Sequence, residues 1–290
     1  MAGTGLGVVN PIRNPVIRHR TTDADVSIAG IRVVQAIAPG HLAGHHGVMD
    51  SSSDLAELWG ESAQVAVLTG AGISTDSGII DFRGPNGLWT RNPGAQAMFD
   101  IDTYVRDPQV RRMAWANRRS NPTWFAQPNP GHVALTGLQR SGRLDALMTQ
   151  NIDGLHQRAG STGVLELHGT IWDVSCLSCG GRWPTPEVLA RQEPDPACVL
   201  CGGILKTATI SFGQTLDAEV LDAAFRAADE ADLLVAIGTS LQVTPVAGLA
   251  GIAENLVIIN AEPTPYDDDA AITIRGSISD ALEEVRRSLD

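Results

Sequence analysis

VAVLTGAGISTDSGIIDFRG, residues 65–84, decides how the rest of the chain is read. Val65–Thr69 is a short apolar run of strand-forming residues. Gly70-Ala71-Gly72 follows it directly, as the start of a G-x-G turn would. The third glycine of G-x-G-x-x-G is absent, because position 75 is Thr. Glycines in such a turn let backbone N–H groups come close to a phosphate. Taken alone, G-x-G after a strand is as often just a tight turn.

The pattern continues on both sides. Further apolar strand candidates are 144–149, 164–167, 233–237 and 256–259, with helical stretches between them such as 217–230 and 279–289. Strand–helix alternation with continuous apolar strands implies an α/β fold with a doubly wound, Rossmann-like parallel sheet. Two segments interrupt it: a polar stretch with Pro and Trp, 91–129, and a cysteine-bearing stretch, 171–205. Both are expected to form a smaller inserted lobe on a large lobe made of 51–90, 130–170 and 206–290. Residues 1–50 carry His41, His45 and His46 but no motif, and are expected to be a flexible extension. MDSSSDLAELWGESAQ from Met49 reads as a helix start, with Ser and Asp cap signals before Leu55, Leu58 and Trp59, so Met49 is a candidate true start.

Composition narrows the function classes. The 290 residues are 43% hydrophobic and 19% charged, which is ordinary globular usage. A net charge of -12 argues against a grip on nucleic acid, which needs clustered Lys and Arg, and is compatible with a cationic peptide. No apolar run is long enough to span a bilayer, and no basic segment leads into an apolar one at the N-terminus, so the expected location is the cytoplasm. Lys206 is the sole lysine.

All four cysteines fall in two C-x-x-C pairs, Cys176/Cys179 and Cys198/Cys201, with 18 residues between the pairs. This is zinc-ribbon spacing: two tight turns each bring two thiolates to one ion. Four thiolates leave no open position, so such a zinc is structural. The alternative of disulfides or redox pairs calls for an oxidising compartment, to which nothing in the sequence points.

Three more segments stand at expected strand ends, where doubly wound folds bind ligands: TQNIDGLHQRAG (149–160), LELHG (165–169) and IGTSL (237–241). With GAGIS (70–74), DFRG (81–84), GTSLQVTP (238–245) and IIN (258–260), in this order and around a four-cysteine module, the chain resembles the sirtuins, NAD-dependent protein deacylases. The resemblance covers about residues 52–286. It implies that GAG opens a longer cofactor loop running to Gly84, rather than a damaged dinucleotide fingerprint.

The resemblance also assigns roles. His168 would be the general base on a ribose hydroxyl, with Asn151 and Asp153 serving cleavage of the nicotinamide–ribose bond. Gly70, Ala71, Gly72, Ser74, Asp81, Phe82 and Arg83 would face NAD, as would Gln150, Asn151, Ile152 and Asp153. Gly238, Thr239 and Ser240 would contact diphosphate and ribose, Asn260, Ala261 and Glu262 a ribose hydroxyl, and Ile278 the adenine. An acyl-lysine protein or peptide would lie as an added strand between Ile210–Gly213 and Gln242–Thr244. The products would be nicotinamide, O-acyl-ADP-ribose and free lysine. The competing readings are a mono-ADP-ribosyltransferase using the same NAD site and a non-enzymatic NAD-binding module.

Three departures from the family pattern are visible. Ile80 replaces a usual Pro, and Gln214 replaces the usual acid after Phe212-Gly213. Trp115-Ala-Asn-Arg118 stands where acid-acyl-selective members carry Tyr-x-x-Arg, and Arg118 is expected to be a surface or helix charge. Trp89, Trp115 and Trp124 are expected mainly to pack.

Overall fold

The computed structural model describes residues 52–92 and 98–290, and the backbone of two short strands upstream. The chain divides into two units, Met1–Gly40 and His41–Asp290. In the first, Ser27–Ile28 pairs antiparallel with Ile31–Arg32. The rest of the extension at 1–50, with its histidines, lies outside the described residues.

The second unit contains nine strands in two sheets among its described residues. They are β1 (Val65–Thr69), β2 (Ala146–Thr149), β3 (Leu165–Glu166), β4 (Gly169–Cys176), β5 (Arg182–Pro184), β6 (Leu205–Thr209), β7 (Leu233–Ile237), β8 (Asn255–Ile259) and β9 (Ile272–Ile274). Its helices are α1 (Ser52–Glu61), α2 (Leu88–Arg91), α3 (Ile101–Arg106), α4 (Pro108–Arg119), α5 (Pro130–Arg140), α6 (Leu155–Ala159), α7 (Thr185–Ala190), α8 (Ala218–Glu230) and α9 (Ile278–Leu289). Local chemistry sets several helix starts. Asp107, Asn129, Asp217 and Ser277 accept backbone N–H bonds as N-caps of α4, α5, α8 and α9, and Pro108 and Pro130 occupy the first turns of α4 and α5.

Six strands form one all-parallel sheet in the order β3-β2-β1-β7-β8-β9. All five residues of β1 and of β7 are buried, because helices cover both faces. Side chains alternate between two cores. Val65 and Val67 join Leu55, Trp59, Leu135 and Leu282 from α1, α5 and α9. Ala66 and Leu68 join Ala224 and Ala228 from α8. Burying a Leu or Val on either face contributes about 1.5–3 kcal/mol.

The strand order is what makes a site. The chain runs outward from β1 to β3, then returns across β1 and runs outward again from β7. Order therefore reverses between β1 and β7, and the crevice beyond their carboxyl ends is where such sheets hold ligands. The second sheet is antiparallel, β5-β4-β6, with Cys176 closing β4. Helices α3 and α4 pack on it: Tyr104 Oη donates to Leu205 O at 2.8 Å, and Trp115 is fully buried against Val174 and Leu205. This ladder and β9 have no counterpart among the strand candidates of the sequence, and the 164–167 candidate shortens to β3.

Candidate active site

The two glycine turns meet back to back. Gly70 N–H donates to Ile237 O and Gly72 N–H to Gly238 O, both at 2.8 Å. A Cβ on Gly72 would stand 2.6 Å from Gly238 Cα, and one on Gly238 2.5 Å from Ile73 N. Glycine is required here so that the β1 and β7 turns can touch backbone to backbone. The expectation that this turn frees its N–H groups for a phosphate is thus corrected for Gly70 and Gly72, whose donors are used inside the fold.

The turn continues as a single 3-10 stretch, Ala71–Ser77, which points Ser74 inward. Ser74 Oγ donates to Asp153 Oδ2 at 2.8 Å and accepts from Asn151 Nδ2 at 3.2 Å. Asn151 Nδ2 also donates to Gly70 O at 3.0 Å, and Leu155 N–H to Asp153 Oδ1 at 2.9 Å. Ser74, Asn151 and Asp153 are all buried. Burial pushes the Asp153 carboxyl pKa upward, against the hydrogen bonds from Leu155 N–H, Ser74 and its own backbone N–H that favour its charged form.

Behind this cluster lies a second layer. Asn129 Nδ2 donates to Ile73 O at 2.6 Å and Ser77 Oγ at 3.1 Å, which aims Asn129 Oδ1 at His132 Nδ1, 3.0 Å away. His132 Nε2 stands 3.5 Å from Ser74 Oγ. His156 Nε2 bonds Thr69 Oγ1 at 2.9 Å, and Thr69 Oγ1 donates to Thr149 Oγ1 at 2.8 Å. Burial holds both imidazoles neutral, His132 at about 4 and His156 at about 3. The sequence reading missed Asn129 and His132; the cap signal Asn-Pro at 129–130, set before an apolar helix, was the available clue.

His168 follows β3 and precedes β4, half-buried at the same sheet edge. Its Nδ1 lies 3.0 Å from Gln150 O. A carbonyl only accepts, so Nδ1 carries the proton and Nε2 keeps its lone pair. Burial lowers the His168 pKa, opposed by the bond to Gln150 O, so the ring is neutral at pH 7. Gln150 Nε2 donates to Thr239 Oγ1 at 2.8 Å, linking this loop to the β7 turn.

The remaining candidates occupy the same edge but do not all converge. Asp81, Phe82 and Arg83 fold onto their own loop: Gly84 N–H and Leu88 N–H donate to Asp81, Phe82 packs 4.9 Å from Trp89, and Arg83 stacks on Trp89 at 4.5 Å. Trp89 also meets Phe99 and Phe212, so an aromatic wall joins the 81–89 loop to the Ile210–Gly213 segment. Ile152 is half-buried beside Asn151, and Ser240 half-buried beside Thr239. Asn260 Nδ2 donates to Glu262 O; the Ala261 and Glu262 side chains face solvent, and Arg275 clips the turn. Ile278 packs on the α1–α5–α9 core. Gln214 folds back, its Oε1 accepting from Ser211 N–H at 2.9 Å. Arg118 is a helix charge, in the last turn of α4, but not the surface charge that was the other expectation. It bonds Thr207 Oγ1 at 3.0 Å, stacks near Trp115 and Tyr104, and has a buried Nη1 without a partner.

The four cysteine Sγ atoms lie within 4.8 Å of one another, with Cys176–Cys201 at 3.5 Å and Cys179–Cys198 at 3.7 Å. Tetrahedral zinc with Zn–S of about 2.3 Å needs sulfur–sulfur edges of roughly 3.8 Å, so the donor set fits the ion. Ser178 N–H and Leu200 N–H each donate to a cysteine sulfur at 3.4 Å, as knuckle turns do. Gly180 and Gly202 close the two turns at φ of 71° and 72°.

The comparisons agree with this geometry. Residues 70–245 match the model of the Sir2 family. The chain is 50% identical over 234 residues to NAD-dependent protein deacetylase 2 of Streptomyces coelicolor, spanning 78% of this chain and 97% of that protein. It is 38% identical to NAD-dependent protein deacylase 2 of Pyrobaculum aerophilum, over 81% of this chain and 96% of that one. A solved structure of Sir2 with a p53 peptide and NAD+ is similar with a TM-score of 0.74 and 34% identity, covering 82% of this chain and 98% of that one. One of Sir2Tm bound to a propionylated peptide gives 0.74 and 32%, over 82% and 99%. This chain belongs to the Sir2 family.

Proposed function

We propose that the protein is an NAD-dependent protein-lysine deacylase, most simply a deacetylase, with His168 as its general base. The observation that carries this reading is the fixed tautomer of His168, a neutral base with Nε2 free at the sheet edge where the polar side chains gather. NAD, when bound, supplies a ribose that accepts the acyl group as nicotinamide leaves. His168 takes a proton at Nε2. The Nδ1–H bond to Gln150 O keeps the ring oriented and supports the positive charge it then carries. Ser74 and Leu155 N–H hold the Asp153 carboxylate in one rotamer, and Asn151 donates to the same Ser74 Oγ; in this reading Asp153 would take the nicotinamide amide and Asn151 the ribose.

The donor set at the switch point suits a dinucleotide. Gln150, Thr239 and Ser240 offer neutral polar groups to diphosphate and ribose, and Asn260–Glu262 to the second ribose. Ile278 serves the adenine end. The acyl-lysine peptide enters between Ile210–Gly213 and Gln242–Thr244, beside the aromatic wall. Zinc on Cys176, Cys179, Cys198 and Cys201 is structural. The catalytic unit comprises the large lobe 51–90, 130–170 and 206–290 and the small lobe 91–129 and 171–205, and it works in the cytoplasm on proteins. Among the described residues no helix is long and apolar enough to cross a membrane.

Incubation of the zinc-loaded protein with NAD and acetyl-, succinyl- and long-chain-acyl peptides, read by mass spectrometry, tests this. Deacylated peptide with O-acyl-ADP-ribose is expected. ADP-ribose on protein with acyl groups intact would move the assignment to ADP-ribosyl transfer.

A further inference from the structure

Lysine is the residue this chain almost wholly lacks. Of 21 basic residues, 20 are arginine and one, Lys206, is lysine. Lys206 sits in β6 and is 2% exposed. Its Nζ donates to Thr209 O at 2.5 Å, with Thr209 Oγ1 at 3.3 Å and Thr207 O at 3.4 Å. An ammonium has three protons to give, and three acceptors surround this one.

Acylation needs an amine that is both unprotonated and reachable. Burial, and then the neighbouring Arg118 guanidinium, pull the Lys206 pKa down to about 7, so proton affinity alone does not protect it. Lack of access does. An acylated Nζ would keep one donor for three acceptors and would need room for the acyl group within a packed strand. The arginines that carry the surface charge stay protonated and offer no free lone pair to the same acyl donors.

We infer that this enzyme is closed to the modification it removes: no surface lysine makes it a substrate for its own copies, and lysine acylation does not act on it as a switch. The inference rests on the deacylase reading for its meaning, but its test reads mass rather than turnover, so the two can fail separately.

The zinc-loaded full chain is treated with sulfosuccinimidyl acetate, and Lys206 occupancy is followed by peptide mapping. The same reagent is applied in concentrated urea. An R226K variant, which places one lysine on the exposed surface of α8, reports that the reagent reaches the folded surface. Lys206 should react at least about 100-fold more slowly folded than unfolded, while the R226K amine reacts readily. Faster labelling of Lys206 in the folded chain overturns the inference. So does recovery of native fold by chains already acetylated at Lys206.

Discussion

Acidification should destabilise the fold through His156, and the size of that effect can be worked out from its surroundings. The ring is 1% exposed, its Nε2 is bound to Thr69, its Nδ1 is buried without a partner, and His132 lies 4.9 Å away. Burial, then the neighbouring histidine, lowers its pKa from 6.5 to about 3. Below the unfolded value the unfolded chain binds a proton that the folded chain refuses, so stability falls as pH falls, until the folded pKa is reached. The linkage slope for one such group is about 1.4 kcal/mol per pH unit. Between about pH 6 and about pH 4.5, His156 therefore costs roughly 2 kcal/mol. His156→Gln keeps a nitrogen towards Thr69 and cannot titrate. Urea unfolding followed by circular dichroism across that window should give a flatter pH dependence in the variant, by about 1.4 kcal/mol per pH unit. Asp153 and Glu166, whose pKa values are raised mainly by burial, act in the opposite sense, but they are present in both proteins and cancel in the difference. Equal slopes in parent and variant would refute the placement of His156 as a buried neutral ring.

Other outcomes are expected. Chelation of zinc should unfold the β4–β5–β6 module, because binding and folding are one free energy at four-thiolate sites, worth on the order of 10 kcal/mol; loss of near-ultraviolet circular dichroism with retained far-ultraviolet signal from the large sheet would report it. Gly72→Ala drives a methyl to 2.6 Å from Gly238 Cα and should cost about 1–3 kcal/mol or more, read as a lowered melting temperature. The kcat/KM profile should lose activity on an acid limb below the ordinary histidine value of 6.5, because burial lowers the His168 pKa; a limb above 7 would contradict that direction.

Much of the sheet was legible because its strands are continuous apolar runs, and β1 and β7 match the read segments residue for residue. β9, only three residues long, gave no such run, and the ladder β5-β4-β6 has polar exposed positions that blur its alternation. At the site, motif residues could be placed along the chain, but the packing between them could not. Gly72 against Gly238 is a contact between turns far apart in sequence, and it decides where two backbone donors go. Asn129 and His132 read locally as a helix start, and only the fold shows them bracing Ser74. Arg118 reads as a surface or helix charge; its place on α4 was legible, but its half-buried packing was not, because its neighbours Tyr104 and Thr207 come from other elements.

The most direct test of the central claim is the stoichiometry of a single reaction in two proteins. Parent and His168→Ala chains, both zinc-loaded and matched for fold by circular dichroism, are mixed with NAD and an acetyl-lysine peptide, and nicotinamide and deacetylated peptide are counted together. The parent should release one nicotinamide for each peptide deacetylated, and the variant should lose deacetylation by about a hundredfold or more. Deacetylation that proceeds without NAD, or at the parental rate in the variant, would contradict the account.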